Sequence, residues 1–321
     1  MEEFAEIDPS LRPILAIVGP TASGKTKLAL SLAQRVPIEI ISMDSVMIYR
    51  GMDIGSAKPD QSTLRRFPHG LVDIIDPTEI YSVADFLTDA DDLVKKAWRL
   101  GRLPVLVGGT MLYMKAFREG LAPVPPADLD LRFQLEREAE VLGHDALYRE
   151  LEKVDPEAAS NIHPNNHQRL KRAIEVYRLT GKPISSFWND QESPGAASRL
   201  RAKMHVIALI PEDRAVWRQK INSRFAEMLA VGLVEEVQSL RSLEGLHGDL
   251  PSMKAVGYRQ AWEYLNGSYT YEEFQERAIV ATRQLAKRQL TWLRSWDWAN
   301  VVSSLNDNEM HKIVDELMTG L

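Results

Sequence analysis

The run Gly19-Pro20-Thr21-Ala22-Ser23-Gly24-Lys25-Thr26 constrains this chain more than any other stretch. It satisfies GxxxxGK(S/T) at every fixed position, with the apolar run Ile14–Val18 before it and helix-forming Leu28–Ala33 after it. That strand–loop–helix context separates a phosphate-binding loop from a chance match. The glycines let backbone N–H groups turn inward, and the helix start adds the positive end of a dipole. Lys25 can then reach outer phosphate oxygens, and the Thr26 hydroxyl is placed to ligate Mg²⁺. The loop predicts a bound polyphosphate. It does not say what the phosphates are attached to.

Four further apolar runs read as strands: Ile38–Met43, Leu71–Ile75, Leu103–Val107 and His205–Ile210. The first four of the five runs alternate with helical or loop segments such as Val83–Leu100, the rhythm of a mostly parallel sheet. They lead into Gly19–Thr26, Asp44-Ser45, Asp76-Pro77 and Gly108-Gly109-Thr110. In open α/β sheets ligands bind outside the carboxyl ends of the strands, so the chemistry belongs where these loops converge. The expected fold class is therefore α/β: a P-loop NTPase-like parallel sheet core with a helical insertion domain and a helical C-terminal region.

Residues 1–121 supply the first part of that core, and the proline-rich stretch Ala122–Pro126 marks the exit from it. Helices expected over Leu129–Leu142, Ala146–Lys153 and His167–Thr180 fill an insertion at 122–198, with Ser193–Ser198 as the return linker. Residues 199–321 complete the core with the last strand and helices over Asp213–Leu240, Tyr258–Leu265, Tyr271–Trp296 and Asp307–Met318.

A chain of 321 residues, 45% of them hydrophobic, can bury one large core or two smaller ones. It has no cysteine, which excludes disulfides, thiolate metal sites and cysteine catalysis, and is consistent with a cytosol. The acidic start MEEFAEIDPSLRP lacks the basic region and apolar stretch of a signal peptide. No apolar run approaches the roughly 20 residues that span a bilayer. A soluble, cytoplasmic protein with no membrane partner is expected. It is expected to be a monomer, because no extended apolar stripe is left over. The net charge of −6 argues mildly against nonspecific nucleic-acid binding, although potential follows arrangement rather than totals.

Asp44 ends the second strand and so lies near the phosphate loop. It could act as a general base, as a metal ligand through water, or as a cap. The following stretch Tyr49–Pro59 is polar, glycine-containing and without periodicity, the composition of a functional loop. Thr110 could cap the next helix or bond to a ligand. Basic residues concentrate in Ala281–Arg294, where Arg283, Lys287 and Arg294 fall at spacings of four and seven on one helical stripe. Arg288 lies beside the stripe, with Trp292, Trp296 and Trp298 interleaved. A second basic helix holds Arg169, Lys171 and Arg172. A single arginine usually marks a solvated face, but two basic helices together with a phosphate loop point to a polyanion partner. The histidines show no metal-ligand spacing.

Together these residues resemble one family, the bacterial tRNA dimethylallyltransferases, or tRNA isopentenyltransferases. The matches are GPTASGKT at 19–26, ISMDSVMIYRGMDIGSAKP at 41–59, VGGTMLY at 107–113 and NNHQRLKRAIEVYRLTGKPIS at 165–185. They continue with RFAEMLAVGLVEEV at 224–237, AVGYRQ at 255–260 and ATRQLAKRQLTWLR at 281–294. The phosphate loop alone is unspecific, whereas its combination with DSxxxYxxMDIG and the last segment is highly specific.

The resemblance implies transfer of the dimethylallyl group of dimethylallyl diphosphate to N6 of the adenosine just 3′ of the anticodon, releasing diphosphate with Mg²⁺. It implies that Gly19–Thr26 cradles the donor's diphosphate, that Lys25 and Arg224 neutralise its growing charge, and that Asp44 receives or orients the amino proton. Thr110 would touch the nucleotide or the diphosphate. The tRNA-contacting segments would be Asp44, Ser45, Val46, Met47 and Thr110 at the strand ends. Arg132, Gln168, Arg169, Leu170, Lys171 and Arg172 would serve in the insertion. Lys254, Gly257, Tyr258, Arg259, Lys287, Arg288, Gln289, Trp292 and Arg294 would serve in the C-terminal part. Two positions depart from the family's pattern: Asn166 stands where aspartate is usual, and Ser56 where threonine is commoner.

Two rival readings remain at this level. A small-molecule or nucleoside-monophosphate kinase would suit the first 110 residues, with ATP in the loop and Asp44 activating an acceptor hydroxyl. It has no use for the basic helix at Lys287–Arg294. A noncatalytic RNA-binding module with a vestigial loop is opposed by the intact Lys25-Thr26 pair.

Overall fold

A computed structural model describes residues 12–188 and 194–303. The chain divides into two compact units, one formed by residues 119–195 and the other by the remainder. In the larger unit the elements run β1 (Arg12–Val18), α1 (Lys25–Ala33), β2 (Ile38–Met43), α2 (Gln61–Arg66), β3 (His69–Gly70), α3 (Val83–Arg99), β4 (Leu103–Gly108) and α4 (Met111–Glu119). The smaller unit holds α5 (Leu129–Leu142), α6 (His144–Val154), α7 (Pro156–Asn161) and α8 (His167–Thr180). The larger unit resumes with α9 (Ala196–Arg199), β5 (Ala202–Ile210), α10 (Arg214–Ala230), α11 (Leu233–Leu240), α12 (Tyr258–Leu265), α13 (Tyr271–Arg294) and β6 (Asn300–Ser303).

The six strands form one parallel sheet in the order β3-β2-β4-β1-β5-β6. Its centre is apolar on both faces because side chains alternate along a strand. In β1, Ile14, Ala16 and Val18 pack with Phe86, Met114 and Phe117, while Leu15 and Ile17 pack with Leu28 and Leu32 of α1. All five β1 side chains from Ile14 to Val18 are fully buried. The α3 helix starts on a reciprocal Ser82–Asp85 capping box and lays Phe86, Ala90, Val94 and Ala97 against the sheet. In the smaller unit Leu135, Leu147, Leu151, Leu170 and Ile174 form a separate core.

The structure departs from the sequence reading at three places. The run Leu71–Ile75 is not a strand: sheet pairing ends at Gly70, and Leu71 and Asp73 take left-handed φ values of 62° and 56°. The chain turns there to pair with the Asp44 loop instead, Asp73 N–H donating to Met47 O and Ile74 N–H to Ile48 O. The helix expected over Asp213–Leu240 is two helices, broken at Gly232, whose φ is 104°. A sixth strand, β6, pairs Asn300–Ser303 with Ile207–Ile210. The helix expected at Asp307–Met318 lies outside the described residues.

Candidate active site

The phosphate loop connects β1 to α1. Gly24, at φ 92°, supplies the left-handed turn from which the first turn of α1 begins. Two distant helices grip this loop through its Thr21 peptide. Trp217 of α10 donates its indole N–H to Thr21 O at 2.9 Å, and Gln289 of α13 accepts the Thr21 N–H at 2.9 Å. Lys25 Nζ donates to Pro20 O at 2.8 Å, which ties the ammonium to its own loop.

Asp44 follows β2 and faces the same cavity. Its Oδ1 accepts from Val46 N–H at 2.8 Å and Met47 N–H at 3.3 Å, so it caps its loop. Its Oδ2 accepts no hydrogen bond among the described residues and is left for other work. Arg224 of α10 shares the cavity wall. Burial, and next the Arg224 charge, push the Lys25 ammonium down to about 7, while the Asp44 charge acts to hold it up. Burial likewise lowers the Arg224 guanidinium, against the pull of Asp44 and Glu227. The three groups therefore feel one another electrostatically.

The cavity has a volume of about 460 Å³. Its lining combines polar groups, the loop from Thr21 to Lys27, Asp44 and Arg224, with the apolar side chains of Ile221, Phe225, Met228 and Leu285. Such a lining can receive both anionic and apolar parts of a ligand. Thr110 accepts from Ser45 N–H at 3.1 Å through its Oγ1, and so holds the residue beside Asp44.

The Asp44 loop is fixed from outside by a residue that the sequence did not single out. Glu236 of α11 accepts from the N–H groups of Asp53 at 2.9 Å, Ile54 at 2.7 Å and Gly55 at 3.2 Å, and from the Tyr258 hydroxyl at 2.7 Å. Lys58, whose side chain is 1% exposed, bonds to Asp53, Asp73 and Tyr49 O within the same loop region. Ser56 places its hydroxyl on Met52 O at 2.6 Å, a contact that needs only a hydroxyl, which accounts for serine serving in place of threonine. Removing the carboxylate in Glu236→Ala should lower stability by about 3 kcal/mol, the scale of losing bonds to a charged acceptor. The measurement is the urea unfolding midpoint. An unchanged midpoint would mean that the loop holds itself.

The residues expected at a tRNA surface separate into groups. Gln168, Arg169, Lys254, Arg259, Lys287, Arg288 and Arg294 are exposed. Arg132 and Arg172 both bond to the buried carboxylate of Glu175 at 2.9 Å, and Lys171 pairs with Glu136, so part of their charge is answered within the smaller unit. Asn166 caps α8 through Arg169 N–H. Burial sets three of these residues apart. The Leu170 and Tyr258 side chains are fully buried, and Gln289 is 9% exposed with its amide committed to backbone. Their side chains can shape such a surface only from beneath. Trp292 is half-buried, packed on the core and edge-on to Trp296, which in turn stacks on Trp298. The tryptophans are mainly core.

Comparisons with known proteins identify the family. The family described as IPP transferase matches residues 47–296, and the one described as isopentenyl transferase matches residues 12–69. A tRNA dimethylallyltransferase 2 of Hahella chejuensis is 51% identical over 306 residues, covering 92% of each chain. The solved tRNA isopentenylpyrophosphate transferase of Bacillus halodurans is 37% identical, covers 96% of both chains and superposes with a TM-score of 0.68. The corresponding Staphylococcus epidermidis structure is 34% identical, covers 96% of this chain and 98% of its own, and gives 0.66. A eukaryotic dimethylallyltransferase acting on tRNA, 23% identical with a TM-score of 0.77, shares the fold. With a phosphate loop, a carboxylate and apolar side chains lining one cavity, and with these matches along its length, the chain belongs to the IPP transferase family of tRNA dimethylallyltransferases.

Proposed function

We propose that this protein transfers the dimethylallyl group of dimethylallyl diphosphate to N6 of the adenosine just 3′ of the anticodon in tRNA. The observation that carries this reading is one cavity lined by the phosphate loop, Asp44 and Arg224 together with the apolar side chains of Ile221, Phe225, Met228 and Leu285. The name of the Hahella relative supports it. In the reaction, N6 forms a bond to the allylic carbon as that carbon's bond to the diphosphate oxygen breaks. The bonding pair leaves with diphosphate, and the amino proton passes to the Asp44 carboxylate. Lys25 and Arg224 neutralise the charge that grows on the departing oxygens, where fixed cations in a water-poor site act most strongly.

The residues present fit Mg²⁺. The Thr26 side chain is exposed in the first turn of α1, beside the loop. Among the described residues no group of three or more His, Asp or Glu could hold an ion alone. An ion here would share its shell with diphosphate oxygens and water, which is how Mg²⁺ is usually held. When bound it supplies further charge neutralisation to the leaving group.

An adenosine must leave its stack to reach the cavity, at a cost of a few kcal/mol that contacts elsewhere on the tRNA offset. Lys287 and Arg288 are exposed on α13 and are suited to phosphate contacts. Replacing both with alanine should weaken anticodon stem–loop binding and reduce the slope of log affinity against log salt by about 1–2. An unaltered slope would show that this helix end does not touch phosphate.

The deciding assay mixes the protein with unmodified tRNA, dimethylallyl diphosphate and Mg²⁺, with the nucleosides read by mass spectrometry. Dimethylallyl adenosine is the expected product. ATP consumption on another acceptor with no prenylated base would establish a kinase instead.

A further inference from the structure

We infer that Gln289 is a positioning residue that sets the spacing between the phosphate loop and the Asp44 loop. The inference rests on the proposed prenyl transfer. One buried amide joins two strand-end loops. Its Oε1 accepts from Thr21 N–H at 2.9 Å, and its Nε2 donates to Gly109 O at 2.8 Å. From Gly109 the linkage continues to Asp44. Thr110 N–H donates to Met43 O at 3.2 Å, and Thr110 Oγ1 accepts from Ser45 N–H at 3.1 Å. The residues on both sides of Asp44 are thus tied to the loop that Gln289 holds.

The residue type suits the task. A primary amide offers one acceptor and one donor group at the same end of a side chain, so it can bond a peptide N–H and a peptide C=O together. Gly109 is buried and Thr21 half-buried, and an unanswered buried backbone group is costly. Gly109 makes room for the clamp: a Cβ there would lie 2.6 Å from Gln289 Nε2, and Gly109 is not among the residues with positive φ. The close approach of the amide, with Gly19 O 3.3 Å from the same point, rather than backbone conformation, is what favours glycine. The leaving group sits in one loop and the proton acceptor follows the other. In-line displacement needs donor carbon and amine in register, and a misplacement of about 1 Å can cost 10²-fold in rate.

Two substitutions approach the clamp from opposite sides. Gln289→Met keeps much of the volume and removes both hydrogen bonds, while Gly109→Ala leaves Gln289 intact and displaces its amide. Both should lower kcat by about 10²-fold, out of proportion to any loss of melting temperature, with the KM for tRNA and anticodon stem–loop affinity unchanged. Wild-type kcat in both variants overturns the inference. So does a proportional fall in kcat, tRNA affinity and melting temperature together, which would mark a general packing role. A wild-type chain that prenylates nothing overturns the underlying reading of function, and the positioning role with it. That result is distinct because it appears before any variant is made.

Discussion

Asp44→Asn should fold, bind tRNA as wild type does, and lose about 10²–10⁴ in turnover, the usual worth of a general base. Asparagine suits this test better than alanine because the Asp44 Oδ1 caps Val46 and Met47. An amide oxygen retains that cap, so the loop stays formed while the proton acceptor is lost. A second effect follows from the charge network. The Asp44 carboxylate opposes the groups that depress Lys25. Without it the Lys25 pKa falls further, so a smaller fraction carries charge at neutral pH, and the pH above which donor binding weakens should move down. Single-turnover transfer and donor titrations over pH measure the two effects separately. Turnover within threefold of wild type would remove Asp44 from the proton transfer.

Lys25→Met should cost about 10²–10³ in turnover, the scale seen when one fixed donor to a developing anion is removed. The pH dependence makes the role of Lys25 specific. With the folded pKa down at about 7 against an ordinary 10.5, the free site is largely uncharged at Lys25 at pH 8. Diphosphate oxygens beside it favour the ammonium, so binding the donor at pH 8 should take up close to one proton. Affinity should fall by up to tenfold per pH unit above 7. Calorimetry in buffers of different ionisation enthalpy reads the proton directly, and Lys25→Met should abolish the uptake. No uptake in wild type would show that Lys25 stays charged throughout. The stability linkage has a defined sign. A lysine whose folded pKa is depressed penalises folding most fully below pH 7, and that penalty fades as pH rises from 7 toward 10.5. The methionine variant should therefore melt no lower than wild type at pH 6, which separates lost function from lost fold.

Much of the frame was legible in the residues. The runs at Ile14–Val18, Ile38–Met43 and Leu103–Val107 announce themselves because a parallel strand buried on both faces is continuously apolar. Leu71–Ile75 misled because an apolar run can be buried without being extended. Leu71 and Asp73 turn left-handed, and the run packs partly against the Asp44 loop. Gly232 could have been read as a helix stop, and Val301-Val302 as a short edge strand.

The site residues show the same division. The sequence by itself made the phosphate loop and Asp44 after β2 legible, because local spacing encodes a strand, a tight turn and a helix start, whereas Arg224 entered only through the family resemblance. Only the tertiary structure decided what holds them. Gln289 lies 268 residues from Thr21, Trp217 lies 196 from it, and Glu236 lies 182 from Ile54. No periodicity records a hydrogen bond over such separations. It exists because α10, α11 and α13 fold back onto the carboxyl edge of the sheet, where loop backbone groups would otherwise be buried without partners. The chemistry was written locally, and its positioning came from the fold.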